Sequence, residues 1–302
     1  GPTGAEVLLN TGGRGVAEPF DVTVIRDMIK VPSVRSRELM DGYLWLRASQ
    51  FQKDTGHEAI AILDEVLAEG SLKGVVLDLR NNPGGVLGAS VDMAGAFLDG
   101  GLVVYTEGRH PQAADSYDAA AGDMLDGLPI VVLINGGSAS ASEIVAGALQ
   151  DRRRAVIMGT RSFGKGSVQT ILPISDTRAV KLTTARYYTP NGRSIQAEGI
   201  VPDIVVDRAE VKSVESNRRK KEADLQGSLA AEDTADAQSE SESLTDLRNN
   251  DNQLYEALTL LRGINLLTPA APEASPVDEA ADTIALQRRQ RHLRGCRQLQ
   301  RS

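Results

Sequence analysis

Five consecutive apolar residues, Ile130-Val131-Val132-Leu133-Ile134, sit between Pro129 and the small-residue stretch that opens with Asn135-Gly136-Gly137. Val75-Val76-Leu77-Asp78-Leu79 is a second run of the same length. Short apolar runs without polar alternation are strands covered on both faces, and that requirement dictates most of what the chain can become. Helical stretches separate such runs: one carries Ile60, Leu63 and Leu67 on a single face and ends at Gly70, and others span 87–98 and 141–149. Further strands are predicted at 43–49, 102–105 and 155–158. Strands alternating with helices specify an α/β core with a mixed, largely parallel sheet.

The remainder of the 302 residues divides by composition. Strand-like stretches at 6–9 and 21–26 are too few to form a domain. Residues 167–206 read as strands with turns at 190–192 and 201–203, completing the sheet. Residues 208–250 read as an acidic low-complexity linker, because 222–246 carries eight acids, no Lys or Arg and few large apolar residues. Leu254, Leu258 and Leu261 restore helical spacing within a predicted helix at 251–267. That apolar stripe is read as a face for homo-oligomerisation, with intrachain packing as the alternative. The six Arg among residues 287–302 read as part of a disordered tail at 268–302.

A net charge of −8 argues against nucleic-acid binding. One cysteine and three histidines leave no basis for a disulfide or a zinc site, and no cofactor is expected. No apolar run approaches the ~20 residues of a membrane span. The chain starts without Met, which suggests a piece of a longer parent, so a targeting segment upstream stays open.

Three segments could carry chemistry. Gly136-Gly137-Ser138-Ala139-Ser140-Ala141-Ser142-Glu143 joins a buried strand to a helix, where free N–H groups collect; its bland reading is a capping box of Ser140 with Glu143. Gly159-Thr160-Arg161-Ser162-Phe163-Gly164-Lys165-Gly166 offers a lysine as base for a nucleophilic serine. A free lysine titrates near ~10.4, so roughly one in 2,500 is neutral at pH 7 and the base needs desolvation and like charges. Phe163 and Val168 are expected as apolar walls, and Arg152, Arg153, Arg154 and Arg161 as the repelling charges. The same segment spells most of a phosphate-binding P-loop, but Gly166 replaces the Ser or Thr that holds Mg²⁺ and a strand, not a helix, is predicted next. Asp78-Leu79-Arg80-Asn81-Asn82-Pro83-Gly84-Gly85 ends a strand, and its glycine N–H groups could join that of Ala141 in an oxyanion hole.

Taken in order, Leu79-Arg80-Asn81-Asn82-Pro83-Gly84-Gly85, Ser138-Ala139-Ser140-Ala141-Ser142-Glu143-Ile144 and Phe163-Gly164-Lys165-Gly166-Ser167-Val168-Gln169 closely resemble the C-terminal processing peptidases, or tail-specific proteases. The resemblance runs from the N-terminus to about residue 207. It implies a crotonase- or ClpP-like protease core at 27–207, with 1–26 as the end of a PDZ domain. It also implies a catalytic Ser140, Lys165 as its base, Gln169 orienting Lys165, and Ala141 with Gly84 or Gly85 as oxyanion donors. The implied activity is that of a serine endopeptidase cutting bacterial envelope proteins at flexible C-terminal tails, in the periplasm or envelope. Two other readings compete: a non-catalytic scaffold that binds tails or partners, and a crotonase-like acyl-CoA enzyme, which leaves Lys165 and Gln169 without a role.

Overall fold

A computed structural model describes residues 2–12, 18–27, 31–211 and 244–267. Its centre is a six-stranded sheet of order β12-β9-β8-β5-β4-β3. The strands are β3 (Val34–Met40), β4 (Tyr43–Ala48), β5 (Gly74–Asp78), β8 (Ile130–Ile134), β9 (Val156–Gly159) and β12 (Ile204–Val205). All neighbours run parallel except the β3/β4 hairpin. Every residue of β5 and β8 is buried, as the apolar runs Val75–Leu77 and Ile130–Ile134 require, and Asp78 at the end of β5 is buried against Arg47 and Arg80.

Alternate residues of these strands feed two apolar layers. Val75, Leu77, Val132 and Ile134 share one cluster with Leu63 of α1 (Thr55–Glu69), Met93 of α2 (Leu87–Gly95) and Ile144 of α3 (Ala141–Asp151). Val76, Val131 and Leu133 share the other with Leu254, Leu258 and Leu261 of α4 (Asn252–Leu267). The leucine stripe expected to mediate self-association is therefore consumed inside the chain: the three residues are at most 1 % exposed. Arg80, at the end of β5, bonds Asp251 just before α4 through both carboxylate oxygens, each at 2.7 Å.

A second sheet, of order β10-β11-β6-β7, is antiparallel and comprises β6 (Gly101–Gly108), β7 (Asp115–Ala119), β10 (Ser167–Ser175) and β11 (Arg178–Tyr188). Residues 167–206 thus do not complete the central sheet as expected; only β12 joins it, beside β9. Pro173 explains part of this, because a strand proline belongs at an edge, and β10 is the edge of the second sheet. Two strands escaped the sequence reading, β3 and β7. Both are polar and mostly exposed, so neither has the apolar run that marks the central strands.

The N-terminal stretches form an antiparallel pair, β1 (Glu6–Thr11) with β2 (Phe20–Ile25). Most of the expected linker and all of 268–302 lie outside the described residues, whereas 244–250 is helical. Among the described residues, no helix is long and apolar enough to cross a membrane.

Two stability tests follow from the α4 layer. Replacing Leu258 with Ala should lower unfolding free energy by about 2–5 kcal/mol in chemical denaturation; a change below about 0.5 kcal/mol would mean an exposed stripe. Burial pushes the Asp251 carboxyl up, but its bonds to Arg80 outweigh this and hold it below the usual carboxylate range. A depressed carboxylate contributes stability above its unfolded value of about 3.9 and loses it as pH falls through the lower folded value. The stability gap between the parent chain and Asp251→Asn should be full at pH 6 and shrink in acid below about pH 4; an undiminished gap at still lower pH contradicts this.

Candidate active site

Parallel strands place their carboxyl ends on one edge, and the loops leaving β5, β8 and β9 there are the three segments singled out in the sequence. Ser140 closes the β8 loop just before α3. Its backbone lies at φ 55°, ψ −111°, a conformation that a non-glycine residue adopts at a cost of about 1–3 kcal/mol. Such strain persists only where neighbours enforce it, and here they do.

The β5 loop presses from one side. Gly84 sits at φ 94°, and a Cβ there would lie 2.5 Å from Ala139 O and 2.9 Å from both Ala141 N and Ser140 Cβ. Only glycine allows that approach. Asn82 organises the contact from complete burial: its Nδ2 donates to Ala48 O, its Oδ1 accepts the Gly84 N–H, and its carbonyl accepts from Ala139 N and Ser142 Oγ. Because the Gly84 N–H is engaged, Gly85 is the member of the pair left with a free donor. Neither the Gly85 nor the Ala141 N–H finds a protein acceptor among the described residues.

The β9 loop is held by Glu143, one turn into α3 and wholly buried. Its Oε1 accepts from Ser162 Oγ and Gly164 N, both at 2.6 Å, and its Oε2 from Ser140 N at 2.7 Å and Lys165 N at 2.8 Å. Four donors fill the four lone-pair positions of the carboxylate. The serine and lysine backbones therefore share a single oxygen. Ser162 adds a link of its own by accepting from Ile200 N at 2.6 Å.

The side chains are less gathered than the backbones. Lys165 is exposed, and no hydrogen bond among the described residues joins its amine to Ser140 or to Gln169, itself exposed at an irregularity in β10. The expected walls and charges also differ. Phe163 is 68 % exposed. Arg152 to Arg154 lie past the far end of α3, whose 11 residues span about 16 Å from Ser140, and Arg154 pairs there with Asp123. Of the four arginines only Arg161 belongs to the lysine loop.

Sequence reasoning gave Glu143 no more than a capping role and left Asn82 and Ser162 without one. A signal for Glu143 existed: residues 141–149 are apolar or small except for this carboxylate, and a charge buried in such a helix must find donors. Among the described residues, no cluster of His, Cys, Asp or Glu could hold a metal. Removing the carboxylate with Glu143→Ala strands four donors, two of them buried and two part-buried, and should destabilise the fold by about 3–5 kcal/mol in urea titration. A loss under about 1 kcal/mol would show that water replaces it freely.

Comparison with known proteins places this edge of the sheet in a family. The sequence profile of peptidase family S41 matches residues 42–206, which contain all three loops. A carboxy-terminal-processing protease of Bartonella bacilliformis is 46% identical over 269 residues, covering 87% of this chain and 62% of the relative. One of Synechocystis is 39% identical over 215 residues, covering 69% of this chain and 49% of the relative. The solved photosystem II D1 C-terminal processing protease superposes with a TM-score of 0.53 at 32% identity, over 68% of this chain and 56% of that one. The chain thus spans less than two thirds of the length of these relatives. With more than half of its residues matched, including the strained serine, the glycine pair and the lysine loop, the chain belongs to peptidase family S41.

Proposed function

We propose that the chain is the core of a carboxyl-terminal processing serine endopeptidase that uses Ser140 as nucleophile and Lys165 as general base. The observation that carries this reading is the shared Glu143 oxygen, which fixes the backbone of a strained serine beside that of a lysine. The two curated relatives described above, both named carboxyl-terminal-processing proteases, support the reaction class.

The steps follow from what each group can do. A neutral Lys165 amine takes the Ser140 hydroxyl proton as the oxygen attacks a peptide carbonyl. The resulting oxyanion is received by the free N–H groups of Ala141 and Gly85, the former at the positive end of α3, each worth about 3–4 kcal/mol in the transition state. Gly84 serves by close approach and not as a donor. The lysinium then protonates the leaving amine, and the regenerated amine activates water against the acyl-enzyme. Gln169 orients the amine once a peptide is bound. An extended peptide lying over the loop covers the exposed Lys165 side chain, and removing it from water favours the uncharged form that a base requires.

The proposed substrates are proteins of the bacterial envelope with flexible C-terminal tails, met in the periplasm or cell envelope. The β1–β2 pair is proposed as the last part of a PDZ module, which captures tails by strand addition and carboxylate binding. The exposed Lys165 favours one alternative, a scaffold that binds tails without cutting them.

Hydrolysis of flexible peptides by the purified chain tests the choice. Ser140→Ala and Lys165→Ala should each lower kcat by at least about 10³-fold with the fold intact by circular dichroism. Activity retained in either variant removes the dyad, and a parent chain without activity leaves the scaffold.

A further inference from the structure

We propose that Asp251, which lies beyond the family-matched region, is a positioning residue for the 79–86 loop and acts on it through Arg80. Its kinetic test rests on the peptidase reading above; its structural test does not.

Arg80 is 8 % exposed and lies between the last residue of β5 and the Asn82–Gly84 contact with Ser140. Its guanidinium has five N–H donors, and the fold supplies five acceptors. Nε and Nη2 donate to the two oxygens of Asp78, at 2.9 and 2.7 Å. Nη1 and Nη2 donate to the two oxygens of Asp251, both at 2.7 Å, and Nη1 also reaches Gln253 Oε1 at 3.0 Å. Paired bonds of this kind fix the plane of the guanidinium as well as its position.

Asp78 alone does not account for the arrangement. It is wholly buried and already serves Arg47 Nη1, Trp45 Nε1 and the Arg80 N–H. Three of the five guanidinium bonds come from Asp251 and Gln253, at the head of the helix on the opposite face of the sheet from α1–α3. Asp251 is fixed in turn, because its Oδ1 accepts the Leu254 N–H. Backbone support reaches the loop too, since Arg47 Nη2 donates to Arg80 O. Without Asp251 the buried guanidinium keeps Asp78 but loses half of its clamp, and the next residues of the chain, Asn81 to Gly85, inherit the freedom.

That freedom matters at the Gly84–Ser140 contact. Its distances leave no slack, and a displacement of the glycine pair moves an oxyanion donor away from the serine. The helix beyond residue 206 therefore does more than cover the sheet.

The test uses the full chain with Asp251→Asn, Arg80→Ala, the double variant, and Asn265→Ala as a control. Asn265 ties the other end of α4 to Tyr43 Oη and Lys73 O, far along the helix from Asp251. Asp251→Asn should lower kcat on a flexible peptide about tenfold with KM within twofold, while Asn265→Ala changes neither. The double variant should be no slower than Arg80→Ala alone, because one residue acts through the other. Amide exchange at Asn82 and Gly84 should accelerate in Asp251→Asn and stay unchanged in Asn265→Ala. Unchanged exchange in Asp251→Asn, a kcat within twofold of the parent, or multiplying effects in the double variant each overturn the proposal. If the parent chain cleaves no peptide, the peptidase reading fails separately and exchange alone decides.

Discussion

One buried carboxylate sets the geometry on which the rest of the site depends. Glu143 cannot sit in the buried part of α3 unless its oxygens are filled, and the four donors that fill them are the Ser140, Gly164 and Lys165 N–H groups and the Ser162 hydroxyl. The constraint is reciprocal. The carboxylate needs the β9 loop folded back over α3, and the loop needs the carboxylate to satisfy N–H groups at Gly164 and Lys165. A contact that looks locally like a helix cap thereby becomes the joint between two segments that lie 22 residues apart in sequence.

The sheet makes that joint possible. Adjacent parallel strands release their loops on one edge, so β5, β8 and β9 deliver glycine, serine and lysine segments to one place without any of them having to reach. Asn82 does for the first pair of loops what Glu143 does for the second. Both are polar side chains in apolar surroundings whose partners are backbone groups, Ser162 Oγ excepted, so both chiefly fix backbones. This explains why Ser140 can hold a left-handed φ while, among the described residues, the Lys165 amine bonds neither Ser140 nor Gln169: the buried hydrogen bonds hold loop position.

How much could be read beforehand depended on where the signal lay. Central strands such as β8 announce themselves by five apolar residues in a row, and α3 by the start signal at Ser140. The edge strands β3 and β7 do not, because half-exposed polar residues carry no period that a loop would lack. The hairpin of β10 and β11 was legible as strands but not as a separate sheet, since Ile171, Leu172 and Ile174 look like core residues and are exposed. The glycine, serine and lysine motifs do meet at the carboxyl edge of the sheet, where Glu143 joins the Ser140 and Lys165 backbones. Neighbours of Lys165 in sequence are not all its neighbours in space: α3 carries the like charges of Arg152 to Arg154 to its far end, and Phe163 is exposed rather than a wall. The leucines of α4 gave the right face and the wrong partner, because a stripe records that something covers it and not whether the cover is the same chain.

The central claim is that Ser140 is made nucleophilic by Lys165. Its most direct test is covalent: a fluorophosphonate applied to the purified chain, with the adduct mapped by peptide mass spectrometry and its rate compared in Lys165→Ala. The account predicts a single adduct on Ser140 that forms at least about 100-fold more slowly once the amine is gone. Labelling spread over other serines, or a rate at Ser140 indifferent to the lysine, would contradict it.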